Sequence, residues 1–390
     1  MTILEEAKQL QSKMIEIRRT IHANPEIGNN LPKTKEYVFD ILSMLGYKAY
    51  EVGGGLVCDL NLNKDITILL RADMDALPMK EESGLEFASK NDYAHTCGHD
   101  IHTTTLLAAA EILLKHKSEL NCNVRFMFQD DEENANGAKI MVDAGVLKDI
   151  NYAFGLHVKP DYKVGLINCT SGKKTASYDS FEIEVIGKGG HGAWPKLAID
   201  PIKIASELTL KLDSLVENHC DKDSKSVLTI GVFNAGTSPN TIPERAYLKG
   251  TMRSDCEDER NYIKNKIDEI LSTFEQQNNC KINIKYLTGI YSLYNSPSLV
   301  EMIKGELDKN LGDYVDYTYD YLPASEDFSI VSTVVPTVYL NLGTGLKQDG
   351  YMYTNHNPKV IYNEDALPYA VCAYVSCALG IQEGRLWIDN

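Results

Sequence analysis

Hydrophobic and polar positions along the chain follow two rhythms in turn. Apolar side chains recur at helical spacing over residues 3–23 and 33–46, and "GLVCDLNL" and "DITILLRADMD" then read as strands. The second is a nearly unbroken apolar run, which suits a central strand covered on both faces. Next come a helix in "TTTLLAAAEILLKH", a strand in "CNVRFMFQDDEEN" that ends in acid, a helix in "GAKIMVDAGVL" and a strand in "YAFGLHV". This alternation predicts an α/β domain, a central sheet flanked by helices whose ligands lie beyond the carboxyl ends of its strands.

Around residue 178 the rhythm changes. "SFEIEVIGKG" alternates like a half-exposed strand, "DPIKIASELTLKLDSLVENH" is an amphipathic helix, and "SVLTIGVFNAG" and "RAYLKGTMRS" are strands. A helix in "DERNYIKNKIDEILSTFEQQ" and a strand in "KINIKYLTGI" close the segment. The order βαββαβ resembles the ferredoxin-like plan. From about residue 293 the first rhythm resumes with the helix "SPSLVEMIKGELDKNL", the strand "PTVYLNLG" and the helix "EDALPYAVCAYVSCALGI". The expected architecture is a mixed α/β catalytic domain, residues 1–177 and 293–390, with a smaller domain inserted over 178–292.

Composition narrows the functional classes. The chain has 390 residues, 43% hydrophobic and 24% charged, as in an ordinary globular protein. Its net charge of −16 without a basic stripe argues against nucleic acid or an anionic membrane as partner. No apolar run approaches the roughly 18 residues that cross a bilayer, and the N-terminal stretch lacks a signal-peptide pattern, so a cytoplasmic protein is expected. The nine cysteines occur singly, which suits reduced thiols better than a disulfide framework.

The stretch "HTCGHDIHTT", residues 95–104, carries three histidines, a cysteine and an aspartate. Alone it fits a metal site, a thiol nucleophile with its base, or a polar loop. Cys97 and His99 can fold onto one ion across Gly98, but a structural zinc site would want two more Cys or His close by. Further donors come from other strand ends: Glu132 and Glu133 in "FQDDEEN", His157 in "FGLHV" and His356 in "YTNHNP". Neighbouring side chains of an extended segment diverge, so one glutamate is expected on metal and the other facing water. That division suits metal-assisted hydrolysis, in which metal acidifies water and a free carboxylate carries the proton.

The motifs "IRRTIHANPEIG", "LRADMDALP", "CGHDIH", "FQDDEEN", "GLHV", "GKGGHGAWP", "IDPI", "NTIP", "GTMR", "SEDF" and "HNP" follow one another over nearly the whole chain. In order and spacing they resemble the amidohydrolase branch of the aminoacylase and dinuclear-metal carboxypeptidase family. The resemblance implies hydrolysis of N-acyl amino acids, two divalent ions (zinc, manganese, cobalt or nickel) and a homodimer whose inserted domain serves as lid and dimerisation element. It implies metal ligands Cys97, His99, Glu133, His157 and His356, with Glu132 as general base and then acid. Asp75 resembles an aspartate that orients a ligand. His191 resembles a histidine that reaches the substrate carbonyl of a partner subunit, and Asn240 and Arg253 resemble residues that hold the substrate carboxylate.

His95 and His102 match the longer family pattern but are not expected on metal, and the place of His22 near a helix end gives it a capping role. Departures are Asp130 and Asp131, where Pro-Ala is usual, Ile101 for a common glycine, and Trp194 and Lys196 after His191. The two aspartates are expected to make the field around Glu132 more acidic and raise its basicity. Rival readings are a metallo-dipeptidase or aminopeptidase, a non-catalytic binding protein on the same fold, and a cysteine hydrolase using Cys97 with His99.

Overall fold

The computed structural model describes residues 1–219 and 226–383, so Cys220 lies outside the described residues. The chain divides into two compact units: Met1–Lys174 with Tyr294–Tyr321 and Asp327–Asn390, and Thr175–Leu293 with Leu322–Glu326.

The first unit is built on an eight-stranded sheet. Its strands run in the order Tyr50–Val52, Gly55–Leu60, Asn123–Gln129, Thr67–Asp73, Tyr152–Lys159, Thr337–Gly343, Ile167–Asn168 and Val315–Asp316. The third to sixth are mutually parallel, while Gly55–Leu60 runs antiparallel to Asn123–Gln129, so the sheet is mixed, as expected. At its centre Leu70 stands beside Phe126 and Phe154, all three fully buried. Helices flank the sheet. Those at His99–Lys115 and Leu367–Leu379 pack on each other and contribute Ile101, Leu106, Ala109, Val371 and Val375 to one continuous core.

The N-terminal helix expected over 3–23 is two helices, Ile3–Gln9 and Gln11–His22. Leu10, with ψ −1°, ends the first in a tight turn, its N–H donating to Ala7 O at 3.1 Å. The apolar rhythm continues across the break, which is why periodicity alone does not show it.

The second unit has the βαββαβ order. Its antiparallel sheet runs Val227–Ala235, Arg245–Arg253, Tyr178–Ile186, Lys281–Ile290, and its helices are Pro201–His219 and Glu257–Asn278. This is the ferredoxin-like arrangement. Strict alternation in the central strand sends Asp179, Phe181, Ile183 and Val185 inward, while Glu182 and Glu184 face outward to Lys249 and Arg245. Asp179 is buried but paired with Arg260 at 2.6 Å. Leu322–Glu326, distant in sequence, joins this unit through Ala176 N–H donating to Ala324 O at 3.0 Å. Among the described residues no helix is long and apolar enough to cross a membrane.

Candidate metal centre

The candidate ligands of the first unit gather where parallel strands end, the position that an open α/β sheet reserves for ligands. Helix His99–Lys115 starts at His99, earlier than its periodicity shows, and Cys97 and Gly98 lead into it. Gly98 takes φ +87°, and a Cβ there would lie 2.4 Å from Val158 Cγ2. Only glycine makes that turn without displacing the strand behind it.

His157 lies within strand Tyr152–Lys159. His356 comes from the loop after Thr337–Gly343 and has φ +64°, uncommon without a glycine. Its N–H donates to Thr96 O at 2.9 Å, and Tyr362 donates its hydroxyl to the same carbonyl at 2.8 Å, pinning the loop one residue before Cys97.

The glutamate pair departs from expectation. Strand Asn123–Gln129 ends before it, and Glu132 and Glu133 lie in a turn after Asp131, whose φ is +55°. Their side chains therefore do not diverge as in extended chain: Glu132 Oε2 and Glu133 Oε1 both lie 3.9 Å from His99 Nε2.

The donors converge on the thiol. Cys97 Sγ lies 3.4 Å from His157 Nε2 and 3.2 Å from His356 Nε2, which is 3.5 Å from Glu133 Oε2. Two groups share the thiol, Cys97 with His99 and His157, and Cys97 with Glu133 and His356, the donor atoms of each within 4.8 Å of one another; His99 also groups with Glu132 and Glu133, and with Asp73 and His102. Two buried atoms here, His99 Nε2 and Glu133 Oε1, have no hydrogen-bond partner. Leaving such atoms unsatisfied costs about 1–3 kcal/mol each, which a cation would relieve. Thiolate, imidazole and carboxylate together suit a borderline divalent ion.

The same burial shapes protonation. It pushes the Cys97 thiol well up, reinforced by Glu133, and it raises the Glu133 carboxyl. His157 is pushed well down by burial and by the neighbouring His102. His99 resists burial and goes up because Asp73, Cys97 and Asp75 surround it. A nucleophilic thiol needs the opposite shift from the one Cys97 has. Asp75 touches both groups: its main-chain carbonyl accepts from His99 Nδ1 at 2.8 Å, and its Oδ2 accepts from Glu133 N–H at 3.1 Å.

His191, Asn240 and Arg253 belong to the second unit. His191 pairs with Thr241 across a two-stranded ribbon, and Gly192 N–H donates to Asn240 O at 2.8 Å, so His191 and Asn240 are neighbours at one exposed tip. Trp194 stands over the His191 ring, centroids 5.1 Å apart. Arg253 ends its strand, lies over the Tyr178 ring at 4.8 Å and donates from Nη1 to Ser325 Oγ at 3.0 Å.

Residues 69–379 match the profile of Peptidase family M20/M25/M40. The chain belongs to this family. It is 36% identical over 387 residues to a hippurate hydrolase of Campylobacter jejuni, covering 97% of this chain and 99% of that protein. It is 34% identical over 382 residues to thermostable carboxypeptidase 2 of Saccharolobus solfataricus, covering 96% of each. Among solved structures it resembles a dinuclear metal binding peptidase of family M20 from Bacillus subtilis, with TM-score 0.83, 29% identity, and 95% and 98% of the two chains covered.

For several buried groups of this M20 chain that the motifs single out, the structure supplies the partners. His102 donates from Nδ1 to Asp73 Oδ1 at 2.6 Å and accepts at Nε2 from Val158 N–H at 2.9 Å, so both nitrogens are engaged. His22 caps no helix: its ring lies between Asp100 Oδ2 at 2.8 Å and Glu81 Oε1 at 3.0 Å. Burial opposes its charge, but Asp100 and Glu81 outweigh that and raise it to about 9. His95 is buried and pushed down to about 4 by burial. Burial raises Asp130 to about 6, and Asp131 accepts from Asn134 Nδ2 at 2.6 Å. Ile101 is fully buried in the core. None of these partners is near in sequence, apart from Asn134.

Proposed function

We propose that the chain is a metal-dependent amidohydrolase that cleaves N-acyl amino acids to a carboxylic acid and a free amino acid. The observation that carries this reading is the pair of three-donor groups sharing Cys97, with Glu132 in neither of them but close to His99 and Glu133, with which it forms a further group. His99 and His157 would hold one divalent ion, Glu133 and His356 the other, and Cys97 both. Such ions, when bound, polarise a carbonyl oxygen and acidify water.

Glu132 takes a proton from the attacking water and delivers it to the leaving amine. Asp75 fixes the orientation of His99 and the backbone of Glu133. Arg253 presents a planar fork to the substrate carboxylate, with Asn240 beside it in role, and Tyr178 and Ser325 limit the motion of the guanidinium. His191, exposed on its ribbon, donates to the substrate carbonyl oxygen in a second copy of a homodimer. All eight described cysteines are free, which supports a reducing, cytoplasmic setting.

The test is metal analysis joined to turnover on N-acetyl, N-benzoyl and N-indoleacetyl amino acids, with dipeptides and longer peptides as controls. Two equivalents of divalent metal and chelator-sensitive release of the free amino acid are expected. Metal-free protein with full activity sinks the proposal. Faster cleavage of peptides than of acyl amino acids replaces it with the metallo-dipeptidase or carboxypeptidase reading. Sedimentation of the free enzyme as a monomer removes the role given to His191.

A further inference from the structure

His102 is buried among the candidate ligands yet offers none of its nitrogens to them. A backbone N–H can only donate, so Nε2 of His102, 2.9 Å from Val158 N, is the unprotonated nitrogen. The proton therefore sits on Nδ1 and is donated to Asp73 Oδ1. Asp73 is fully buried, and its other oxygen accepts from Arg71 Nη1 at 2.7 Å. The carbonyl of the same residue, in the next peptide group, accepts from His157 Nδ1: Val158 O lies 2.7 Å from that nitrogen. That places the lone pair of His157 on Nε2, the nitrogen facing Cys97 Sγ.

We infer that His102 is a positioning residue for one half of the centre, the Cys97, His99 and His157 group, and acts through the backbone N–H and C=O of Val158. This rests on the metal-binding reading above. The line runs Asp73, His102, Val158, His157, and each link has one donor and one acceptor. The His102 ring also stands edge-on to His157, centroids 4.7 Å apart, and 5.4 Å from His99, while Val158 Cγ2 packs where Gly98 has no side chain. Glu133 and His356 have no hydrogen bond to His102, so the second group should be insensitive to it.

The test titrates metal-free protein with Co(II), following thiolate-to-cobalt absorption and counting bound metal after dialysis. His102→Asn keeps a donor at the Nδ1 position and lacks the acceptor for Val158; His102→Gln places its carbonyl oxygen near the Nε2 position and keeps that acceptor. Removing an outer hydrogen-bond partner of a metal-ligating histidine costs roughly 10- to 100-fold in metal affinity. His102→Asn is expected to weaken one of two ions by that factor and leave the other unchanged, with His102→Gln closer to wild type. Wild-type binding of both ions by His102→Asn, equal weakening of both ions, or equal effects of Asn and Gln overturns the role. If His102→Asn does not fold, nitrogen-15 NMR of the wild-type imidazoles decides: a proton on Nδ1 of both His102 and His157 is expected, and a proton on Nε2 of either ring overturns the role. Wild-type protein that binds no metal defeats the metal centre itself, a result separate from any of these.

Discussion

Glu132 and Glu133 are chemically identical neighbours to which the site assigns unlike work, so exchanging each for glutamine is the sharpest single test. Glu133 Oε2 faces His356 Nε2 at 3.5 Å, its Oε1 is buried 3.9 Å from His99 Nε2 with no hydrogen-bond partner among the described residues, and its main chain is tied to Asp75. Glutamine there replaces one carboxylate of a three-donor group by a neutral amide, and that group should lose its ion while the Cys97, His99 and His157 group keeps one. Glu132 lies in neither of the two groups that share Cys97, so Glu132→Gln should leave three donors for each ion and lose proton transfer. General acid–base catalysis contributes typically 10²- to 10⁴-fold. Glu132→Gln should therefore lower kcat by that factor, a rise of about 3–5 kcal/mol in the barrier. The assay is metal content by mass spectrometry on dialysed protein, paired with kcat on an N-acyl amino acid. Near-normal kcat in Glu132→Gln, or two tightly held ions in Glu133→Gln, refutes the division of roles.

Asp100 accepts from Arg18 Nε at 2.9 Å and His22 Nδ1 at 2.8 Å, all three buried, so Asp100→Asn should cost about 3–5 kcal/mol by removing the buried carboxylate that both cations share, leaving Arg18 with Glu364 and His22 with Glu81. A urea melt losing under about 1 kcal/mol, the scale of an exposed ion pair, would contradict that. His22 has its folded pKa raised to about 9, so its stabilisation is fully present below the unfolded value near 6.5 and is lost as pH rises through 9. The change is worth about 3 kcal/mol, and His22→Gln should abolish that part of the decline; an unchanged stability profile between pH 6.5 and 9 counts against it. Each ion at 100-fold over its dissociation constant adds about 2.7 kcal/mol, so chelation should lower the melting temperature by roughly 10–20 °C. Coincident melts with and without chelator would show that these donors bind nothing.

Much of the fold is legible as rhythm. The unbroken apolar run at Ile68–Leu70 marks a central strand, and the alternation from Phe181 to Val185 marks a one-sided one. The ribbon joining Gly190–His191 to Thr241–Ile242 is too short to show a period, and the helix break at Leu10 leaves none. At the site, residue types point to Cys97, His99, Glu133, His157 and His356, but their convergence is tertiary. The turn that brings Glu132 and Glu133 side by side depends on the left-handed Asp131, which composition does not reveal. His102, Asp73 and Val158 form a chain only because two strands and a helix meet, and His22 finds partners at residues 81 and 100.

The candidate ligands are also unequally spaced in time. Cys97, His99, Glu133 and His157 all precede the inserted unit, whereas His356 and the strand Thr337–Gly343 that pairs with Tyr152–Lys159 follow it. At a synthesis rate of about 5–20 residues per second, the interval between His157 and His356 lasts roughly 10–40 s. During it the nascent chain carries every donor of one half of the centre and lacks a donor of the other. Until the inserted unit has been made, the Cys97 thiol of the nascent chain lacks His356, one of its imidazole neighbours.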